Sequence, residues 1–274
     1  MISARQVTFK YKDPVLSGLN LTLEPDRIHG LIGPNGSGKT TLMRILAGQL
    51  PCEGEVLVDG EAPFDDEKVM TNIVLSGADM SFPQNWSAQK ILGLGAKRWP
   101  TFDLDRAMKL LADFEVPDSN GFGKLSLGQK SAVSLVFGLA ARCPFTLLDE
   151  PYLGIDAQRR ELLYRTLLDE QEQAPRTILL STHHINESAR VLDTVHLLEN
   201  SRIALSSDAV ELVDSIHEVT GPTSVLEQVE LNVVRREVVG GITKLIMRGE
   251  VPEIPGVRVD NVDLETAVLA LQEG

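Results

Sequence analysis

The chain is 274 residues long, 43% hydrophobic, and carries 39 acidic against 26 basic side chains, for a formal net charge of -13. That length and apolar content support a sizeable core and exclude a disordered chain, while an acidic balance with no local basic patch excludes nucleic acid as the expected partner. No apolar run approaches the roughly 20 residues that cross a bilayer; the best candidate, 131–141, carries serines and a glycine and stops at Arg142. Residues 1–12 alternate apolar and polar side chains without the pattern of a secretory leader, and Cys52 and Cys143 stand without metal-ligand spacing. Both features point to a cytosolic, reducing environment.

In chain order, Val7, Phe9 and Tyr11 alternate with Thr8 and Lys10, and Leu19, Leu21 and Leu23 with Asn20 and Thr22, predicting two half-buried strands that pair. The apolar run 28–32 feeds a glycine-rich turn, and 39–47 then repeats apolar residues at helical spacing. A strand is expected at 55–58, ended by Asp59-Gly60, and an interior one at 73–75. From 87 to 114 the pattern is helical, with Asp103 as a cap before a stripe of Leu104, Ala107, Met108, Leu110, Leu111 and Phe114.

Ser126 caps a further helix to about Arg142, 145–148 is an apolar strand, Asp156 caps a third helix, and strands follow at 177–180 and 195–198. Strands alternating with helices of this length imply parallel pairing through right-handed crossovers, hence a three-layer α/β core, expected to end near Leu205 with a helical insertion at about 80–142. Residues 206–274 then read as a small α+β accessory region. Its expected elements are a helix at 208–216, a hairpin of 231–239 and 242–247 around Gly240-Gly241, and a terminal helix at 264–271.

The turn after the run 28–32 is Gly33-Pro34-Asn35-Gly36-Ser37-Gly38-Lys39-Thr40, with Thr41 next, the spacing of a phosphate-binding P-loop. Glycines let successive backbone N–H groups approach phosphate oxygens, and the following helix points its positive end at the same anion. Lys39 is expected on the β- and γ-phosphates and the Thr40 hydroxyl on Mg²⁺. Asp149, at the end of an apolar strand, supplies a second oxygen ligand for Mg²⁺, and Glu150 is the candidate to polarise the attacking water. An Asp-Glu pair alone is usually a solvated strand end; its place after a P-loop changes the reading.

With Leu125-Ser126-Leu127-Gly128-Gln129, which matches a signature loop except for leucine at its third position, the chain from Gln6 to about Leu205 resembles the ATP-binding subunits of ABC transporters. The resemblance implies a P-loop NTPase core with an antiparallel β subdomain, an inserted helical subdomain and a small C-terminal α+β appendage. It implies ATP and Mg²⁺ as cofactors, and Ser126, Gly128 and Gln129 as contacts to nucleotide held by the P-loop of a second nucleotide-binding subunit. Tyr11 is similar to the aromatic that stacks on adenine, with core packing as its alternative. Leu153-Gly154-Ile155-Asp156 resembles the loop crossing the dimer interface, and His183 the switch histidine that meets the γ-phosphate, His184 beside it being unassigned.

The family's glutamine linking the nucleotide site to the membrane partner has no counterpart in register. Gly77-Ala78-Asp79 falls there, Asp79 is the possible replacement, and Gln84 comes too late. Residues 262–271 resemble the short terminal helix of exporter-like subunits, implying export through a separate integral membrane permease at the inner face of the cell membrane. The competing reading is a soluble ABC ATPase acting on a macromolecular complex, against which stand a single compact cassette and the acidic charge; the signature loop speaks against a small-molecule kinase.

Overall fold

The computed structural model describes residues 1–77, 80–229 and 231–273, the side chains of 272 and 273 excepted. The chain forms two compact units, Met1–His183 with His196–Ser206, and His184–Val195 with Ser207–Gly274. The linear boundary expected near Leu205 therefore misses one feature: residues 184–195, read from the sequence as core, fold with the second unit.

The first unit opens with β1 (Ile2–Lys10), β2 (Pro14–Leu23), β3 (Ile28–Ile32), α1 (Lys39–Leu46), β4 (Glu53–Val58), the short α2 (Glu67–Met70) and β5 (Ile73–Gly77). Strands β1, β2 and β4 form an antiparallel sheet in the order β2-β1-β4, with Val7 opposite Leu19 as the alternation of apolar residues predicts. Their apolar faces share one core with Leu42, Met43, Ile45 and Leu46 of α1.

Helices α3 (Ala88–Arg98), α4 (Leu104–Asp113) and α5 (Leu127–Ala140) follow, then β6 (Phe145–Asp149), α6 (Ala157–Gln173), β7 (Thr177–Thr182), α7 (Ile185–Ser188), β8 (Thr194–Glu199) and β9 (Arg202–Asp208). The helical stretch 87–114 forms two helices, α3 stopping before Pro100 and α4 starting at the cap expected from Asp103, which accepts the Arg106 N–H at 2.9 Å. The stripe expected on α4 is narrower than drawn: Ala107, Leu110, Leu111 and Phe114 are buried, Leu104 is exposed. Helix α5 is buried from Ser131 to Ala140, apolar nearly all round as an interior helix must be.

A six-stranded sheet runs in the order β5-β6-β7-β3-β8-β9, with β5, β6, β7 and β3 parallel. Strands β3 and β7 are buried along their whole length, which explains their unbroken apolar runs. The register places Asp149 beside Ser181 and Thr182 beside Ile32, so the loops leaving β6, β7 and β3 emerge side by side at one edge. In open parallel sheets this carboxyl edge is where ligands bind.

The second unit contains α7, α8 (Ala209–Asp214), β10 (Ile216–Pro222), α9 (Thr223–Leu226), β11 (Val233–Val239), β12 (Ile242–Arg248), β13 (Arg258–Asn261) and α10 (Leu264–Glu273). The expected helices and the hairpin around Gly240 and Gly241, both at positive φ, are present. The sheet order β11-β12-β10-β13 shows what the sequence pattern missed: β10, one of its two interior strands, and the edge strand β13 have no counterpart among the expected elements. Val219, Leu226, Leu245 and Met247 make its core.

Candidate functional site

The loop between β3 and α1 is built around positions where a side chain cannot fit or the backbone turns left-handed. A Cβ on Gly33 would stand 2.4 Å from the Leu198 carbonyl oxygen, and Gly36 and Gly38 have φ of +80° and +106°. Gly38 is also the N-cap of α1 and offers no side-chain oxygen, so no cap covers the first N–H groups of the helix. Lys39 is only 5% exposed and folds over its own loop, donating to the Gly33 oxygen at 2.8 Å and the Pro34 oxygen at 3.1 Å. Its Nζ lies 3.6 Å from Glu150 Oε1.

From the neighbouring strand ends, Asp149 accepts the Thr40 hydroxyl proton at 2.6 Å through Oδ2 and the Ser181 hydroxyl proton at 2.6 Å through Oδ1. Ser181 in turn accepts the Glu150 N–H at 2.9 Å. Glu150 itself sits at φ +45°, a left-handed conformation unusual for a glutamate, which turns its carboxylate toward Lys39 and His183. His183 Nδ1 is 3.4 Å from Glu150 Oε1. Three adjacent strand ends thus bring Lys39, Thr40, Asp149, Glu150 and His183 together as expected. Ser181, missed from sequence, ties Asp149 to the Glu150 backbone, and its signal was its place as a polar residue next to the end of β7, after the apolar run 178–180.

The residues fit a magnesium-bound triphosphate. Ser37 Oγ is buried without a hydrogen bond among the described residues, inside a loop lined by Asn35, Gly36, Gly38, Lys39, Thr40 and Thr41. The touching oxygens of Thr40 and Asp149 are the hard donors Mg²⁺ takes, and among the described residues no group of three or more His, Cys, Asp or Glu competes as a metal cage.

The signature loop is elsewhere. Ser126 accepts the Gln129 N–H at 3.2 Å and Gln129 Oε1 accepts the Ser126 N–H at 3.0 Å, a reciprocal cap on α5. Gln129, expected on nucleotide, therefore already has a structural task. A Cβ on Gly128 would meet the Gly154 oxygen at 2.3 Å, and Ser131 donates to the Leu153 oxygen at 2.6 Å, so this loop and residues 153–155 are packed as one piece. None of residues 126–129 lines the P-loop pocket of the same chain.

Tyr11 is 59% exposed and stands edge-on to Phe9 at 4.9 Å, which removes core packing as its role. The replacement for the missing glutamine, Ala78 or Asp79, lies outside the described residues. Beside it, Gly77 and Met80 line a cleft of about 200 Å³ with Thr40, Arg44, Gln49, Leu75, Ser76 and Asp149.

A family model described as ABC transporter matches residues 16–153, half of the chain. The chain belongs to the ABC transporter ATP-binding family. It is 32% identical over 214 residues to the ABC transporter ATP-binding protein YtrB of Bacillus subtilis (strain 168), covering 77% of this chain and 73% of that one. It is 33% identical over 211 residues to the hemin import ATP-binding protein HmuV of Streptomyces coelicolor, covering 73% and 74% respectively. Its fold matches the dimeric structure of the bacterial ABC transporter cassette MJ0796 with a TM-score of 0.66 and 23% identity, over 76% of this chain and 98% of that one. Like other ABC cassettes the protein is an ATPase of mixed α/β P-loop architecture, and no helix among its described residues is long and apolar enough to cross a membrane.

Proposed function

We propose that this ABC ATPase energises a separate membrane permease by pairing with a second nucleotide-binding subunit around ATP, at the cytoplasmic face of the membrane. One observation carries the proposal. The P-loop and Glu150 line one pocket, with Asp149 bonded to Thr40 and His183 beside Glu150, whereas Ser126 and Gly128, at the capped start of α5, take no part in it. A triphosphate gripped by both sets needs Lys39 of one copy and Ser126 of another, and two-fold symmetry makes the arrangement reciprocal. ATP then binds the closed pair better than the open one, and that difference is the free energy a permease can use.

Within each site Lys39 exchanges its contacts with the Gly33 and Pro34 oxygens for phosphate oxygens and neutralises charge gathering on the transferred group. Mg²⁺, held by Thr40 and Asp149, supplies further charge neutralisation when bound. Glu150 orients the attacking water, and His183 holds the γ-phosphate and Glu150 in register, so positioning and electrostatics carry the chemistry. Glu150→Gln is expected to leave ATP binding intact, cut turnover at least a hundredfold, and trap an ATP-dependent dimer in light scattering. A variant that stays monomeric with Mg-ATP and its permease removes the pairing.

Export is the direction carried by the likeness of α10 to exporter-like subunits. Import is the second reading, supported by relatives named for hemin and for taurine import, the latter 32% identical over 189 residues in Pseudomonas savastanoi. Inside-out vesicles carrying the permease decide between them: ATP-driven uptake into their lumen means export, and ATP-driven loss from preloaded vesicles means import.

A further inference from the structure

We propose that Tyr152 is a positioning residue for ATP hydrolysis, its hydroxyl donating to His183 Nδ1 and so holding the imidazole with its proton on Nε2. This rests on the assignment of His183 to the γ-phosphate. Tyr152 is 2% exposed in the turn after β6, and its ring stands edge-on to the His183 ring at 5.6 Å. Its oxygen accepts the His183 backbone N–H at 3.0 Å and lies 3.1 Å from His183 Nδ1. One phenol thus grips both the main chain and the side chain of the same residue.

An oxygen that already accepts a backbone proton has its own proton to give, and Nδ1 is within reach. Glu150 Oε1 also faces Nδ1, but at 3.4 Å, near the limit of a hydrogen bond. Burial pushes the phenol up to about 12, so it remains a donor at neutral pH, and the Thr182 hydroxyl is a further hydrogen-bond partner of the phenol. The tautomer matters because phosphoryl oxygens only accept. With Nδ1 taken by Tyr152, Nε2–H is a donor to the γ-phosphate; with the proton on Nδ1, Nε2 would present a lone pair to an anion. At metal sites, the outer partners that orient a ligating histidine contribute roughly ten- to a hundredfold in affinity or activity, and Tyr152 orients His183 in the same way.

The test uses the full chain. Tyr152→Phe keeps the ring and removes the hydroxyl; kcat is expected to fall about tenfold with KM for ATP within about twofold, a split that loss of packing would not give. Nitrogen-15 NMR of the imidazoles, with the His183 signal identified by its loss in His183→Gln, is expected to show Nε2–H in the parent and a mixture in Tyr152→Phe. A parent His183 protonated on Nδ1, or a Tyr152→Phe protein with parental kcat, overturns the proposal, and the first of these does not require Tyr152→Phe to fold. His183→Ala separates the layers: parental turnover there removes the γ-phosphate assignment itself, whereas inactive His183→Ala beside fully active Tyr152→Phe removes only the role of Tyr152.

Discussion

At the scale of single residues, the positions whose chemistry is dictated by the phosphate were the easiest to find. Lys39, Thr40 and the loop glycines announce themselves by spacing, because only a bare, tightly turned backbone brings consecutive N–H groups to one anion. Ser181 and Tyr152 carry no such signal: a serine ending a strand and a tyrosine in a turn become meaningful only when the sheet sets them against Asp149 and His183. Tyr11 lay between, a candidate from its place in the sequence but separable from core packing only by its exposure. Its replacement by alanine is expected to weaken ATP by about 0.5 to 1.5 kcal/mol, the worth of an aromatic stack, measured by titration with a fluorescent nucleotide. Unchanged affinity would mean that adenine rests elsewhere.

At the scale of elements, helix starts were legible because Asp103, Ser126 and Asp156 each cap the following helix through a side-chain oxygen. The interior strand β10 was not, since it ends in Gly221 and Pro222, residues depleted in strands. The cap on α5 has two roles that mutation can separate. Ser126→Ala loses the cap and is expected to cost about 1 kcal/mol in urea unfolding as well as ATP-dependent pairing. Ser126→Asp restores the cap, and so the stability, yet places a carboxylate where a phosphate should come; it is expected to unfold like the parent and still fail to pair. Pairing by the aspartate variant would show that Ser126 serves its helix alone. A comparable use of charge holds α4 to α6, where Glu170, 1% exposed, takes Arg106 at 2.7 Å and Arg176 at 3.4 Å.

At the scale of the whole molecule, the three-layer core followed from the alternation of strand and helix, while the sharing of residues 184–195 with the second unit has no counterpart in linear pattern. Global stability has a sensor inside that core. His29 and His196, both buried, stand 3.2 Å apart, and His196 also meets the Ser206 hydroxyl at 2.8 Å. Burial first, and the neighbouring His29 second, lower the His196 pKa to about 3 from 6.5. The unfolded chain therefore takes up a proton that the folded chain refuses, and stability is lost as pH falls below 6.5 toward 3. Between pH 7 and pH 5 the loss from this residue is expected to be about 2 kcal/mol, visible as a lower urea midpoint, and His196→Asn should flatten the dependence. An equal drop in that variant would place the sensitivity elsewhere.

The left-handed turn at Glu150 has an evolutionary consequence. A side chain other than glycine or asparagine is held there against a preference of about 1 to 2 kcal/mol, so Glu150→Asn should melt at a higher temperature than the parent while losing turnover. Selection for heat tolerance alone would erode this position, and continued demand for ATP turnover keeps the glutamate in place.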